Sequence, residues 1–406
     1  MQKIQDPASG HPYHFPDGDR HFTGKNRKGD AVHVDYQYDR LERAYHHITD
    51  YTVAVDAGAH VGLLTRKLAE RFKTVYAFEP DPANFACLCE NTRHLPNVLQ
   101  VQAALGAEAG RVSLDRGDGT NSGDVCVRGG DEVPVVPLDS YELPDLGLIK
   151  IDVQGYERQV LEGARQLIQA FAPVMIVECE PPGNLRRRYH KGDRDEVAAF
   201  FGQKHWDVRL VETISADRIY VPGPNGARPY TKYAVQGDYH WRQHAPGTDM
   251  GGCIQDVVNY VNAQTHRDIL DVGCGDGHCT SILRSAFGVD DNHTAIALAR
   301  RRGVPCVQLS AFRLAALGRR WGAVSMFDVF EHLPCQPQAL RAVAAVTDTL
   351  FILNPDPLGK HWHAHEFTEA ELVEFVTARG WAVKYSKRYE MSERNKKTFL
   401  HLVKDD

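Results

Sequence analysis

Two eight-residue stretches constrain this chain more than anything else in it: VDAGAHVG, running from Val55 to Gly62, and LDVGCGDG, running from Leu270 to Gly277. Each leaves an apolar run through an aspartate into a glycine turn that precedes a helical pattern. Such a turn brings backbone close to a ligand at the carboxyl end of a strand. A chain that carries it twice has two candidate ligand crevices.

The surrounding pattern repeats as well. After a polar lead-in and an amphipathic helix over Tyr38–Ile48, short apolar strands (TVAVDA, TVYAFE, LQVQAAL, LGLIKIDV, PVMIVECE) alternate with helices over Leu63–Arg71, Pro82–Thr92 and Tyr156–Ala170. A helix near Asp195–Lys204 and the strands WDVRLVE and DRIYVPG close this half. The Pro- and Gly-dense VPGPNGARP, Val221–Pro229, reads as a linker. Beyond it the alternation restarts with DILDV, AFGVD, VPCVQL, GAVSMFDV and TLFILNP and their helices, ending in WAVKYSKRYE and KTFLHLVK. Alternating strands and helices make a mainly parallel sheet covered on both faces. The expected architecture is α/β, two doubly wound Rossmann-like domains in tandem, residues 1–225 and 226–406. A length of 406 residues suits two such domains.

The glycine spacing argues against a dinucleotide. GxGxxG needs its third glycine for close helix packing beside the pyrophosphate, and His278 stands where that glycine belongs after Gly273 and Gly275. The aspartates Asp56 and Asp271 beside the turns disfavour a diphosphate by charge. They suit S-adenosylmethionine, which carries an ammonium and a sulfonium and no phosphate. A second acid ends the next strand in each copy, Glu79 in FEPD and Asp290 in GVDD, where ribose hydroxyls can donate to it.

Residues Val53–Pro222 resemble the FkbM family of class I methyltransferases, through VDAGAHVG, AFEPDPANF, AALG, VPLDSYEL, IKIDVQGYERQVLEGA and IVECE. The likeness departs at Gln154, where the family usually has Glu. Residues Asp268–Glu390 resemble small-molecule class I methyltransferases of the ubiquinone-biosynthesis type, through LDVGCGDG, GVDDN, MFDVFEHL and HEFTEAEL, with Ser310 where that family often has an Asp. The resemblance implies S-adenosylmethionine as cofactor, held by Asp56, Gly58, Gly62 and Glu79 in the first half and by Asp271, Gly273, Gly275 and Asp290 in the second. It also implies methylation of a hydroxyl on a sugar or related small molecule at the first site, and of a second position or linked metabolite at the second.

Because the sulfonium is already activated, such an enzyme mainly aligns its acceptor, and a base is needed only for a hydroxyl or a protonated amine. Candidates lie after the strand in KIDVQGYE: Lys150, Asp152 and Glu157, with Glu178 and Glu180 at the next strand end. A carboxylate there can act as base, orient a sugar hydroxyl or hold a divalent cation. In the second half His332 of FEHL has the unperturbed pKa of a base near neutrality. The basic run LRRRYHKGDR offers Arg186, Arg187 and Arg188 to an anionic substrate, and KHWHAHEF offers His361, His363 and His365 to a substrate loop. That histidine run lacks Cys or acidic partners at metal spacing, so no metal site is assigned.

A formal net charge of −6 gives no general pull toward nucleic acid or anionic lipid, and no apolar run is long enough to span a membrane. The nine cysteines lack CxxC pairing, which fits reduced thiols in the cytoplasm. The partner expected is a small molecule or glycan. The other readings open at this level are a nucleic-acid methyltransferase, or one catalytic domain joined to a docking domain.

Overall fold

Strand β3 (Val53–Ala57) is buried at all five positions, and its apolar, β-branched sequence has helices to pack against on both faces. It sits at the centre of the first of two units into which the chain divides, Met1–Gly223 and Pro224–Asp406. The computed structural model describes residues 1–5, 11–23, 37–179, 193–203, 206–223, 236–265, 268–357, 366–392 and 395–405.

In the first unit β3 pairs in parallel with β4 (Thr74–Phe78) on one side and β9 (Leu148–Ile151) on the other. β5 (Val98–Val101) extends the sheet beyond β4, and β10 (Val174–Glu178) extends it beyond β9. The hairpin of β11 (Val208–Ile214) and β12 (Asp217–Pro222) completes the order β11-β12-β10-β9-β3-β4-β5, with β12 antiparallel to β10. The second unit repeats the plan as β15-β14-β13-β16-β17-β19-β18, from β13 (Ile269–Val272), β14 (Ala286–Asp290), β15 (Cys306–Gln308), β16 (Ala323–Phe327), β17 (Thr349–Pro355), β18 (Trp381–Ser392) and β19 (Asn395–Lys404). Numbered within each unit, both sheets read 3-2-1-4-5-7-6. The order reverses beside the first strand, which opens a crevice at the carboxyl ends of strands 1 and 4.

Elements that the sequence pattern left out close the first crevice. β1 (Gln2–Ile4) and β2 (Tyr13–Phe15) form a small sheet, and Tyr13, Phe15 and Phe22 pack on Val61, Leu63 and Cys87. The stretch expected as a single strand, LQVQAAL, divides into β5 and β6 (Ala104–Leu105). β6 joins the hairpin β7 (Gly110–Asp115) and β8 (Cys126–Val136) in a separate three-stranded sheet.

The helix expected over Tyr156–Ala170 also divides, into Glu157–Gly163 and Arg165–Phe171. Gly163 lies so close to strand β6's end that a Cβ there would meet the Gly106 carbonyl oxygen at 1.9 Å. The Asp139 carboxylate then takes the backbone N–H groups of Gln166 and Leu167 at 3.0 and 2.9 Å, starting the second helix as a cap does. Among the described residues no helix is long and apolar enough to cross a membrane.

Gly58 has φ +75°, and a Cβ on it would meet the Asp152 carbonyl oxygen at 1.9 Å, whereas Gly119 has φ +73° with open space around it. Gly58→Ala therefore meets a backbone clash as well as left-handed strain. It should destabilise the first unit by about 2–4 kcal/mol, against about 1 kcal/mol for Gly119→Ala. Urea titration followed by hydrogen exchange at Val53–Ala57 and Leu148–Ile151 reads the difference.

Candidate functional site

Each unit builds its glycine turn with the same set of hydrogen bonds. In the first, Asp56 at the end of β3 is fully buried, and its Oδ2 accepts from Thr65 Oγ1 at 2.6 Å. In the second, Asp271 Oδ2 accepts from Thr280 Oγ1, also at 2.6 Å and also nine residues on. The threonine lies in the helix that follows the turn, so the bond ties strand to helix across the glycines.

What meets the other aspartate oxygen differs. Lys150 sits beside Asp56 in the sheet register, and its Nζ pairs with Asp56 Oδ1 at 3.0 Å while donating to the Gly58 carbonyl at 2.7 Å. Burial acts to lower the Lys150 pKa, but Asp56 and Asp152 outweigh it and hold the ammonium charged. Ser325 occupies the same register position in the second unit and donates to Asp271 Oδ1 at 2.8 Å. With a hydroxyl in place of a cation, burial pushes Asp271 up to about 6.

The second acids also match. Glu79 Oε2 accepts the His60 backbone N–H at 2.8 Å and Oε1 that of Asp81 at 2.9 Å. Asp290 Oδ2 accepts from Gly275 N at 2.9 Å and Oδ1 from Asn292 N at 2.8 Å. Burial, against these hydrogen bonds, pushes each carboxyl up to about 7. Asp81 and Asn292 then cap the next helix, accepting from Ala83 and Asn84 in one unit and from Ala295 in the other.

A cavity of about 260 Å³ lies over the first turn, lined by Gly58, Glu79, Lys150, Asp152, Gln154 and Glu178 among others. Asp56, Gly62 and Glu157 do not line it. The expected contact of Asp56 with a ligand is corrected accordingly, because both its oxygens are spent behind the turn on Thr65 and Lys150. Gly62 is corrected likewise: it packs the helix, where a Cβ would meet Leu88 at 2.8 Å. Glu157 is no base, since it is buried and accepts the N–H groups of Val153 and Gly155 at 3.0–3.2 Å, bracing its own turn. Lys150 reaches the cavity wall, yet its charge is committed to Asp56.

Asp152 and Glu178 face each other across the cavity rim. The Gln154 amide donates to Asp152 Oδ1 at 2.8 Å and to Glu178 Oε2 at 2.9 Å, and Gln154 takes φ +55° to do so. Burial and the Asp152 charge push Glu178 well up. Burial also works to raise Asp152, but Lys150 and the hydrogen bonds from Glu178 and Gln154 bring it down. The two carboxyls therefore titrate as one pair, with Glu178 shifted up and Asp152 shifted down.

Sequence reasoning missed three parts of this wall. His60 sits in the turn with Nε2 at 2.7 Å from Ser122 Oγ, and burial lowers its pKa to about 4, so the ring is neutral. His21 and Phe22 arrive from the lead-in, and Asp19 anchors them by accepting Phe22 N and Ser122 N at 2.8 Å. A buried acid at a fixed offset from aromatic residues was the available signal in DGDRHF.

In the second unit His332 Nε2 lies 3.6 Å from Glu331 Oε1, in the 3-10 turn after β16. Asp328, immediately after β16 as Asp152 is after β9, pairs with buried Lys397 of β19 and takes φ +55°. That aspartate lies within MFDVFEHL, and its partner Lys397 is 69 residues away in sequence. Gly273 has φ +72°, and a Cβ there would meet Val329 at 2.4 Å. Glu180, Arg186, Arg187, Arg188, His361, His363 and His365 lie outside the described residues.

Residues 56–201 match the methyltransferase FkbM domain, and residues 248–383 match a second methyltransferase domain. The chain joins two S-adenosylmethionine-dependent methyltransferase domains in tandem. A hexuronic acid methyltransferase, AglP of Haloferax volcanii, is 28% identical over 147 residues. That match takes in 34% of this chain and 58% of the relative, so little more than half of AglP's length is represented. Magnesium protoporphyrin IX methyltransferase from Synechocystis PCC 6803, solved with bound SAM, shares 16% identity over 43% of this chain and 94% of its own, with a TM-score of 0.35. The 1,6-didemethyltoxoflavin-N1-methyltransferase of Burkholderia thailandensis shares 19% over 49% and 95%, with a TM-score of 0.34.

In both domains the aspartate–threonine bond ties the turn to its helix, and it is buried. Thr280→Val leaves one Asp271 oxygen without its donor and should destabilise the second domain by about 1–3 kcal/mol. Thr280→Ser, which keeps the hydroxyl, should recover most of that loss; hydrogen exchange at Ile269–Val272 under urea distinguishes the two.

Proposed function

We propose that the FkbM domain methylates a hydroxyl of a sugar or related small molecule or glycan, and that the second domain methylates another position on the same or a linked molecule. The observation that carries the reading is the Asp152–Gln154–Glu178 group at the rim of the cavity that also contains Gly58 and Glu79. The likeness to a hexuronic acid methyltransferase supports a sugar as acceptor.

Gly58 and Gly273 leave room for a ligand to approach the backbone where any side chain would intrude, and Glu79 and Asp290 present carboxylates able to accept from ribose hydroxyls. Bound there, S-adenosylmethionine supplies a methyl group on a positively charged sulfur. In the FkbM domain Asp152, ionised beside Lys150, takes the acceptor's hydroxyl proton as its oxygen becomes an ether. Glu178 keeps its proton and holds the pair in register with Gln154, while Lys150 keeps Asp56 neutralised. A divalent cation remains a further use for the acids, although the described acids there do not bring three ligand atoms together. In the second domain the corresponding groups after the fourth strand are Asp328, paired with Lys397, and His332, and this reading gives His332 the part of base. Nine free cysteines fit action in a reducing compartment such as the cytoplasm.

Transfer of labelled methyl from S-adenosylmethionine to hexuronic acids, neutral sugars, glycans and polynucleotides tests this. We expect label on a sugar hydroxyl, with Asp152→Asn slowing transfer by about 10²–10⁴-fold at unchanged cofactor affinity. Label on polynucleotide alone, or undiminished transfer by the Asp152→Asn variant, would refute it.

A further inference from the structure

The turn of the second domain carries a side-chain cluster that methyl transfer does not use. The short helix Tyr239–Gln243 lies against the glycine turn, held by Asp276, which is fully buried. Asp276 Oδ2 accepts His240 N at 2.9 Å, and the Asp276 carbonyl accepts the Trp241 indole N–H at 3.1 Å. This places His244, the residue that ends the helix, beside His278, the first residue after Gly277, with ring centroids 5.1 Å apart. Cys279 follows His278 as a free thiol.

The donor atoms of His244, His278 and Cys279 all lie within 4.8 Å of one another. His244 is 9% exposed, and the Nδ1 atoms of both histidines are buried without a hydrogen-bond partner. A purely aromatic packing role would leave two buried ring nitrogens unsatisfied, at a cost of about 1–3 kcal/mol each. A cation ligated through Nδ1 of each ring would satisfy both. Two imidazoles and a thiolate are the ligand types of zinc, whose bonds of about 2.0–2.1 Å to nitrogen and 2.3 Å to sulfur fit donors at these separations after small side-chain rotations.

We propose that His244, His278 and Cys279 bind one Zn²⁺ ion that clips the segment around Tyr239–Gln243 onto the glycine turn of the second domain. The protonation states suit that role. Burial and the neighbouring histidines drive His244 down to about 3 and also lower His278, so both rings are neutral and able to ligate. Burial holds the Cys279 thiol protonated, and metal binding releases that proton to solvent as the sulfur becomes a thiolate ligand. Asp276 lies against the His240 ring at 3.3 Å and supplies negative charge beside the site. Adjacent ligands at His278 and Cys279 with the third far upstream do not form a recognisable metal spacing, which is why sequence alone assigned none.

The full-length chain, stripped of metal and titrated with Zn²⁺ and then with Co²⁺ as a spectroscopic stand-in, tests the assignment. We expect one equivalent of Zn²⁺ per chain, and a Co²⁺ complex with a thiolate-to-metal charge-transfer band and tetrahedral visible absorption. Cys279→Ser should remove the charge-transfer band, and His244→Ala, which lies outside the turn, should weaken Zn²⁺ binding at least tenfold against a competing chelator with circular dichroism unchanged. The combined change of His361, His363 and His365 to alanine should leave the band intact. Absence of the band in the wild-type chain, its persistence in Cys279→Ser, unchanged Zn²⁺ affinity in His244→Ala, or loss of the band in the triple alanine variant would overturn the proposal.

Discussion

A buried hydrogen bond from a threonine to an aspartate nine residues earlier underlies both halves of this protein. It joins the end of the first strand to the helix that follows the turn, and so fixes how the intervening glycines present their backbone. Buried away from water, the aspartate cannot be left unsatisfied, and the sheet position beside it supplies the second partner: Lys150 in the FkbM domain and Ser325 in its companion. The next acid, Glu79 or Asp290, then grips the turn from the other side through a backbone N–H four residues after the aspartate.

The difference at that one sheet position spreads outward. A lysine brings positive charge to the carboxyl edge of β9, which draws Asp152 down while burial and the Asp152 charge push Glu178 up. Where serine replaces it, the equivalent Asp328 finds its cation on a different strand, at Lys397 of β19. The two domains thus share the architecture of the turn and diverge in the charged groups at the strand end beside it.

Much of this was legible in the sequence. Apolar strands alternating with helices specified the sheet, and the second acid after each turn lies where its spacing put it. What was misread follows from side chains that serve the fold. Asp56 and Asp271 stand next to the glycines in sequence but bond to Thr65 and Lys150 and to Thr280 and Ser325, and Glu157 accepts the N–H groups of Val153 and Gly155 in the turn before its helix. What was missed depends on chain segments distant in sequence: Asp19 and Phe22 over the turn, Lys397 beside Asp328, and His244 beside His278. Periodicity reports which face of an element is buried, and it carries no information on such long-range meetings.

Two turns built on one plan should make two cofactor sites. Titration calorimetry of S-adenosylmethionine against the full-length chain counts them directly. We expect two equivalents per chain, with Glu79→Gln weakening one of them at least tenfold and Asp290→Asn weakening the other. A single equivalent in the wild-type chain, or two equivalents that neither substitution weakens, would contradict it.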